Sequence, residues 1–181
     1  MLSLAIMAGL ALGIGTAVYL LDRPAGSAWL IPPAWQSAAP APWFGRAGPW
    51  LPSLVHAFAF SVLTALALPE RPWRAAVACL AWAAIDTLAE LGQHAAVSGA
   101  LAAALATAFD GAAGALRLGR YFTMGTFDLA DLAAGWAGSA FAFVALRRRL
   151  PRAAAPARRA EAPDPTLHPT TCSSPRWGSR P

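Results

Sequence analysis

Six polar or titratable side chains sit inside or at the edge of apolar runs: His56, Asp86, Glu90, Gln93, Asp128 and Asp131. Carboxylates and an imidazole in such surroundings can carry protons, hold a cation or receive a polar headgroup. A charged group at the centre of a bilayer helix costs about 2.5–3.5 kcal/mol on insertion scales, so each of these residues needs a reason to be there. Asp86, Glu90 and Gln93 are spaced four and three apart, which puts them on one face of a helix advancing ~100° per residue. Trp82 and Cys79 continue that face, which should point into a helix bundle. The ordinary alternative to a functional site is a buried hydrogen-bonding network that holds helices together, with protonated carboxyls avoiding the charge cost.

His56 lies among Val55, Phe58 and Phe60. Alone, a histidine on an apolar face reads as a core residue; at the same depth as Glu90, it could also pair with a carboxylate. Thr126-Phe127-Asp128-Leu129-Ala130-Asp131 reads as a helix start, with Thr126 or Asp128 as cap and acids favouring the helix dipole. That explains Asp131 less well, because it lies deeper and precedes the small residues Ala133, Ala134, Gly135, Ala137, Gly138 and Ser139. Small residues permit close helix contact, which would bring Asp131 against a partner helix.

The elements that must position these groups are membrane helices. Of 181 residues, 57% are hydrophobic and 13% charged, and the mean hydropathy is +0.46, too apolar for one soluble core of this size. Residues 2–21 carry no formal charge, nor do residues 47–69, and ~20 apolar residues cross the ~30 Å hydrocarbon layer. The pattern predicts an all-α polytopic bundle over residues 1–149. Its spans are residues 2–21, about 52–68, about 73–93 and about 127–146. The first is expected to be an uncleaved span rather than a signal peptide, since no Lys or Arg precedes it.

The Pro-rich turn at residues 69–72 makes the second and third spans a hairpin, so His56 and the Glu90–Gln93 pair face one side. Residues 22–50, rich in Pro and Trp, should lie along the membrane surface. Residues 95–116 are ambiguous, apolar but interrupted by Asp110-Gly111. If they do not cross, Asp128 and Asp131 return to the side of His56 and Glu90, which favours four spans; five is the alternative.

All 14 basic residues are Arg, and eight of them follow residue 146 against only Glu161 and Asp164. The basicity therefore belongs to the tail. Arg147, Arg148 and Arg149 directly after an apolar run anchor a cytoplasmic end, and no nucleic acid is expected as partner. Residues 150–181 are expected to be a disordered basic Pro/Ala/Arg-rich tail. Cys79 and Cys172 suggest neither a disulfide framework nor a metal knuckle. No metal or other cofactor is expected.

The order of features resembles the VanZ-like family of small membrane proteins over about residues 50–146. The matching pieces are His56-Ala57-Phe58, Glu90-Leu91-Gly92-Gln93, Phe127-Asp128-Leu129-Ala130-Asp131-Leu132 and Gly135-Trp136-Ala137-Gly138. The chain departs from the family pattern at Pro52-Ser53, where Asp-Lys is common, and at Gly135, where Asn is common. Its Arg120 is more distant from the acids than the family's arginine, and the segment from Gln93 to Phe127 is longer. The resemblance implies a multi-pass protein of the bacterial cytoplasmic membrane, linked in some members to glycopeptide-antibiotic resistance. No Ser-His-Asp arrangement, phosphate loop, zinc helix or dinucleotide glycine motif accompanies it. The leading expectation is an envelope protein whose polar layer binds a lipid headgroup, a cell-wall-related ligand or an ion, among membrane lipids as partners. The rivals are a small transporter using Glu90 and Asp131 for proton coupling, and a membrane hydrolase with His56, Glu90 and Asp131 around a metal.

Overall fold

The computed structural model describes residues 1–24, 31–36 and 42–149. The expected tail at 150–181, and the part of the surface loop that contains Trp29, lie outside the described residues. The apolar run Leu2–Leu21 forms α1 and stops where Asp22, Arg23 and Pro24 follow. Leu4, Ala8, Ala11, Gly15 and Val18, at steps of four and three, are buried. Leu2, Ile6, Leu10 and Ile14 on the other side are exposed. Such a helix packs through a narrow seam of mostly small residues and offers its larger side chains to lipid.

Helix α2 spans Leu51–Ala67, with Pro52 in its first turn, where a missing N–H costs nothing. Its buried residues include Val55, Ala57, Ala59, Ser61, Val62 and Ala65, more than one face of a helix can supply, because α2 is central. It packs against α1, against α3 (Arg74–Gln93) and most extensively against α6 (Leu129–Arg149). Helix α6 meets it through Gly138, whose missing Cβ would overlap the Leu54 carbonyl oxygen and approach the Phe58 nitrogen to 3.1 Å. Thr64 of α2 accepts from Trp82 Nε1 of α3 at 2.9 Å, and Phe60 stacks on Trp82 at 4.7 Å. The face expected to point inward from α3 does so at Trp82 and at buried Cys79.

The ambiguous segment is a helical hairpin, α4 (Ser98–Ala108) and α5 (Ala113–Met124). Between them Asp110 takes φ 49° and Gly111 φ 68°. Consecutive left-handed residues stop a helix and turn the chain. At 11 and 12 residues, the two helices rise only ~17–18 Å. Gly119 of α5 lies against Ala102 of α4, and Gly92 of α3 receives Phe122 and Leu101. The hairpin thus docks on the end of α3 and hands the chain to α6 at that end.

Among the described residues, α1, α3 and α6 are long and apolar enough to cross a membrane. Helix α2, also apolar, has 17 residues and rises ~25 Å inside the other three. The architecture is an all-α bundle of about four spans. Its last helix begins at Leu129, two residues later than the hydropathy suggested, because Asp128 is its cap. A direct check is cysteine labelling: Ala34→Cys and Thr126→Cys should react from one side of the membrane and Glu70→Cys from the other. Thr126→Cys reacting from the side of Glu70→Cys would mean that the segment between α3 and α6 crosses.

Candidate functional site

The end of α1, the start of α2, the end of α3 and the start of α6 meet at one end of the bundle, with α5 beside them. The α6 N-terminus organises the acids. Asp128 Oδ1 accepts from the Ala130 N–H at 2.8 Å, a cap of the first turn. Glu90 Oε2 accepts from the Asp128 N–H at 3.2 Å, so a carboxylate on α3 satisfies one of the unpaired donors at the head of α6. Asp131, one turn in, accepts from Ser53 Oγ of α2 at 3.1 Å. Negative charge is favoured at this place by the partial positive charge of the helix N-terminus.

Asp86, one turn below Glu90 on α3, lies against Gly135, where a Cβ would come within 2.8 Å of its Oδ2. The small-residue run therefore does allow close contact, with two partners. Gly135 admits Asp86 and Gly138 admits the α2 backbone, while Asp131 reaches α2 through Ser53. Asp86 Oδ2 is buried and has no hydrogen-bond partner. The charge that acts on it is that of Glu90, one turn above on the same helix. Gln93 packs against Gly125, where any Cβ would collide with its amide.

Three residues join the cluster that motif reading passed over. Tyr19 and Arg23, at the end of α1, both act electrostatically on or with Asp131. Arg23 Nη2 also donates to the Pro49 carbonyl at 2.9 Å, and the guanidinium carbon lies 5.9 Å from the Tyr19 ring centre. Tyr121 of α5 feels Glu90, Asp86 and Tyr19. Burial, and then the Glu90 charge, raise its phenol above the ordinary value, so the hydroxyl keeps its proton. Position along the chain was the available signal: Tyr19 sits one turn before the charged stop of α1, at the level of the acids.

The adjoining surface loop is tied to the same end. Asp22 accepts from the backbone N–H groups of Trp43, at 2.7 Å, and Phe44, at 2.9 Å, and Gly48 leaves room for its carboxylate. Trp35 and Trp43, on this loop, are exposed.

His56 does not pair with Glu90. Its ring stacks between Tyr19, at 6.1 Å, and Phe60, at 5.8 Å, and its Nε2 occupies the space that Gly15 leaves on α1. Among the described residues, no group of three or more His, Cys, Asp or Glu is arranged to hold a metal. The metal centre of His56, Glu90 and Asp131 considered from sequence is therefore not assembled. The acids are brought together, Gln93 stands at their edge, and the imidazole belongs to an aromatic column that continues through Phe60 to Trp82.

On the lipid side of this cluster, Trp136 Nε1 of α6 donates to Thr87 Oγ1 of α3 at 2.9 Å. Deeper in the bundle, Ser61 and Ser139 carry buried hydroxyls without partners. Compared with models of known protein families, with curated proteins and with solved structures, the chain matches none.

Proposed function

We propose that the chain is a membrane-embedded binding protein of the cell envelope, akin to the VanZ-like family, whose acid cluster receives the polar headgroup of a membrane amphiphile. The observation that carries this reading is the orphaned Asp86 Oδ2, buried beneath Glu90 in a cluster where the other acids are already engaged. An unsatisfied buried acceptor costs about 1–3 kcal/mol, and a donor delivered by a ligand removes that cost. Glu90, Asp128 and Asp131 also lie near helix ends, the part of a spanning bundle that would meet a headgroup layer. The arginines that close α6 stand at the opposite end, which puts the cluster on the outer side if they face the cytoplasm. A change in glycopeptide susceptibility is the phenotype to which the resemblance points.

The experiment is native mass spectrometry of the full chain released from membranes. Wild type should carry a bound amphiphile, and Asp86→Asn, which keeps the shape and removes the charge, should lose at least nine-tenths of it while remaining monodisperse. Equal occupancy in the two proteins would remove Asp86 from any binding role.

A further inference from the structure

An apolar groove of about 700 Å³ runs between α3 and α6. Small residues, Ala76, Ala83, Ala84 and Ala140, line much of it, and Trp136 and Phe143 of α6 add bulk. Ser139 also lines it, is 4% exposed, and carries a hydroxyl with no hydrogen-bond partner. Ser139 lies ten residues along α6 from Leu129, ~15 Å from the helix head. That is the middle of a hydrocarbon layer ~30 Å thick. Lipid has only acyl chain at such a depth, and an acyl chain neither donates nor accepts. A partner for this hydroxyl must therefore be polypeptide, as hydroxyls between membrane helices usually find.

One face of α1 has the complementary shape. Gly9, Gly13 and Thr16 are exposed and fall within ~60° of one another at ~100° per residue. They lie opposite the seam of Leu4, Ala8, Ala11, Gly15 and Val18 that packs inside the bundle. A Cβ at Gly9 or at Gly13 would have nothing within 4 Å. Glycines four apart on an apolar helix bare its backbone to close approach by another helix.

Depth connects the two surfaces. Gly15 of α1 faces Val55 and His56, and Gly138 of α6 faces Leu54 and Phe58, so both glycines meet the same turn of α2. Gly135 meets Asp86, which puts Ala83 of α3 level with Gly138. Counted from these contacts at ~1.5 Å per residue, Thr16 and Ser139 lie within ~3 Å of one depth, and Ala84 is level with Thr16. Phe143 falls at the depth between Gly9 and Gly13. Copies of one chain insert with the same ends on the same sides of the membrane, so the register within one copy also holds between copies.

We propose that the α3–α6 groove receives α1 of a second copy of this chain. Gly9 and Gly13 lie over the alanines beside Phe143, and the Ser139 hydroxyl bonds that of Thr16. The donated helix face and the groove are different surfaces of one copy. The contact is therefore heterologous, each copy giving α1 to one neighbour and receiving α1 from another.

The test is disulfide trapping in native membranes. Full-length copies carrying Thr16→Cys or Ser139→Cys, each also Cys79→Ala and Cys172→Ser, bear tags of different length and are coexpressed and oxidised. The mixed disulfide should exceed either like-with-like product at least tenfold. Gly13→Val added to the Thr16→Cys copy has open space around it within that copy, and should lower the mixed product at least tenfold. Ala140→Phe in the other copy, which fills the groove, should do the same. Ala84→Cys repeats the experiment from the α3 wall and decides it if Ser139→Cys does not accumulate. A disulfide between two Thr16→Cys copies in excess of the mixed one overturns the groove in favour of pairing between α1 helices. Absence of a mixed product from both groove positions, or a cross-link from them to a different protein instead, overturns the second copy as occupant. A mixed product unchanged by Gly13→Val overturns the assignment of the glycine face.

Discussion

Gly138→Val should abolish the folded bundle or leave it only marginally stable. A Cβ at this position meets the Leu54 carbonyl oxygen and the Phe58 nitrogen, which are backbone atoms of the most buried helix, so no rotamer change relieves the clash. The two helices would have to separate along their most extensive contact. Overpacking of a tight interior costs typically 1–3 kcal/mol, and a clash with backbone belongs at about 3 kcal/mol or above. Gly9→Val and Gly13→Val are matched controls, since a Cβ at either glycine of α1 has nothing within 4 Å. Thermal unfolding in detergent separates the cases. The controls should melt with wild type, and a Gly138→Val protein that also did so would show that α2 and α6 are further apart than described.

The second large effect is on binding rather than folding. Glu90→Gln with Asp131→Asn should reduce amphiphile retention at least tenfold while the protein still elutes as a single species. Each amide can still accept from its present donor, Asp128 N–H or Ser53 Oγ, so the packing at the head of α6 survives. What disappears is the negative charge that a cationic group would seek. His56→Phe is the informative companion. Its ring is held by Tyr19 and Phe60 in a stack that phenylalanine can continue, so retention should stay within twofold of wild type. If His56→Phe lost binding as completely as the acid variant, the imidazole would be part of the site and the aromatic column would not be its main role. If the acid variant failed to accumulate, the carboxylates would be caps for α6 before anything else.

Periodicity and hydropathy sufficed for the spans because apolar length is a local property. α1 coincides with the run 2–21, and α2 and α3 begin and end within one residue of the positions expected. The Asp110-Gly111 interruption carried real information, as both residues adopt the left-handed conformation that turns the hairpin. What one-dimensional spacing could not supply was azimuth between helices. His56 and Glu90 are at similar depth, as the hairpin geometry required, yet Gly15 and Tyr19 of α1 capture the imidazole before it can face α3. The same limit hid Tyr121. Nothing in its own helix marks it, and it acquires a place only because Gly92 and Gly125 let α5 sit close to the end of α3.

The central position of α2 also bears on how the protein is made. As synthesis proceeds from the amino terminus, α2 enters the membrane early, whereas α6 is translated more than 60 residues later. Until then the small-residue flank of α2 near Leu54 and Phe58 has no helix to close it, and Ser53 has no Asp131. The acid cluster cannot exist in any intermediate, because two of its carboxylates and the helix terminus that organises it arrive with the final span. A chain interrupted before Leu129 would leave in the bilayer three spans, with the α4–α5 hairpin, and a bare, close-packing seam, the kind of surface that membrane quality control and stray helix partners both recognise.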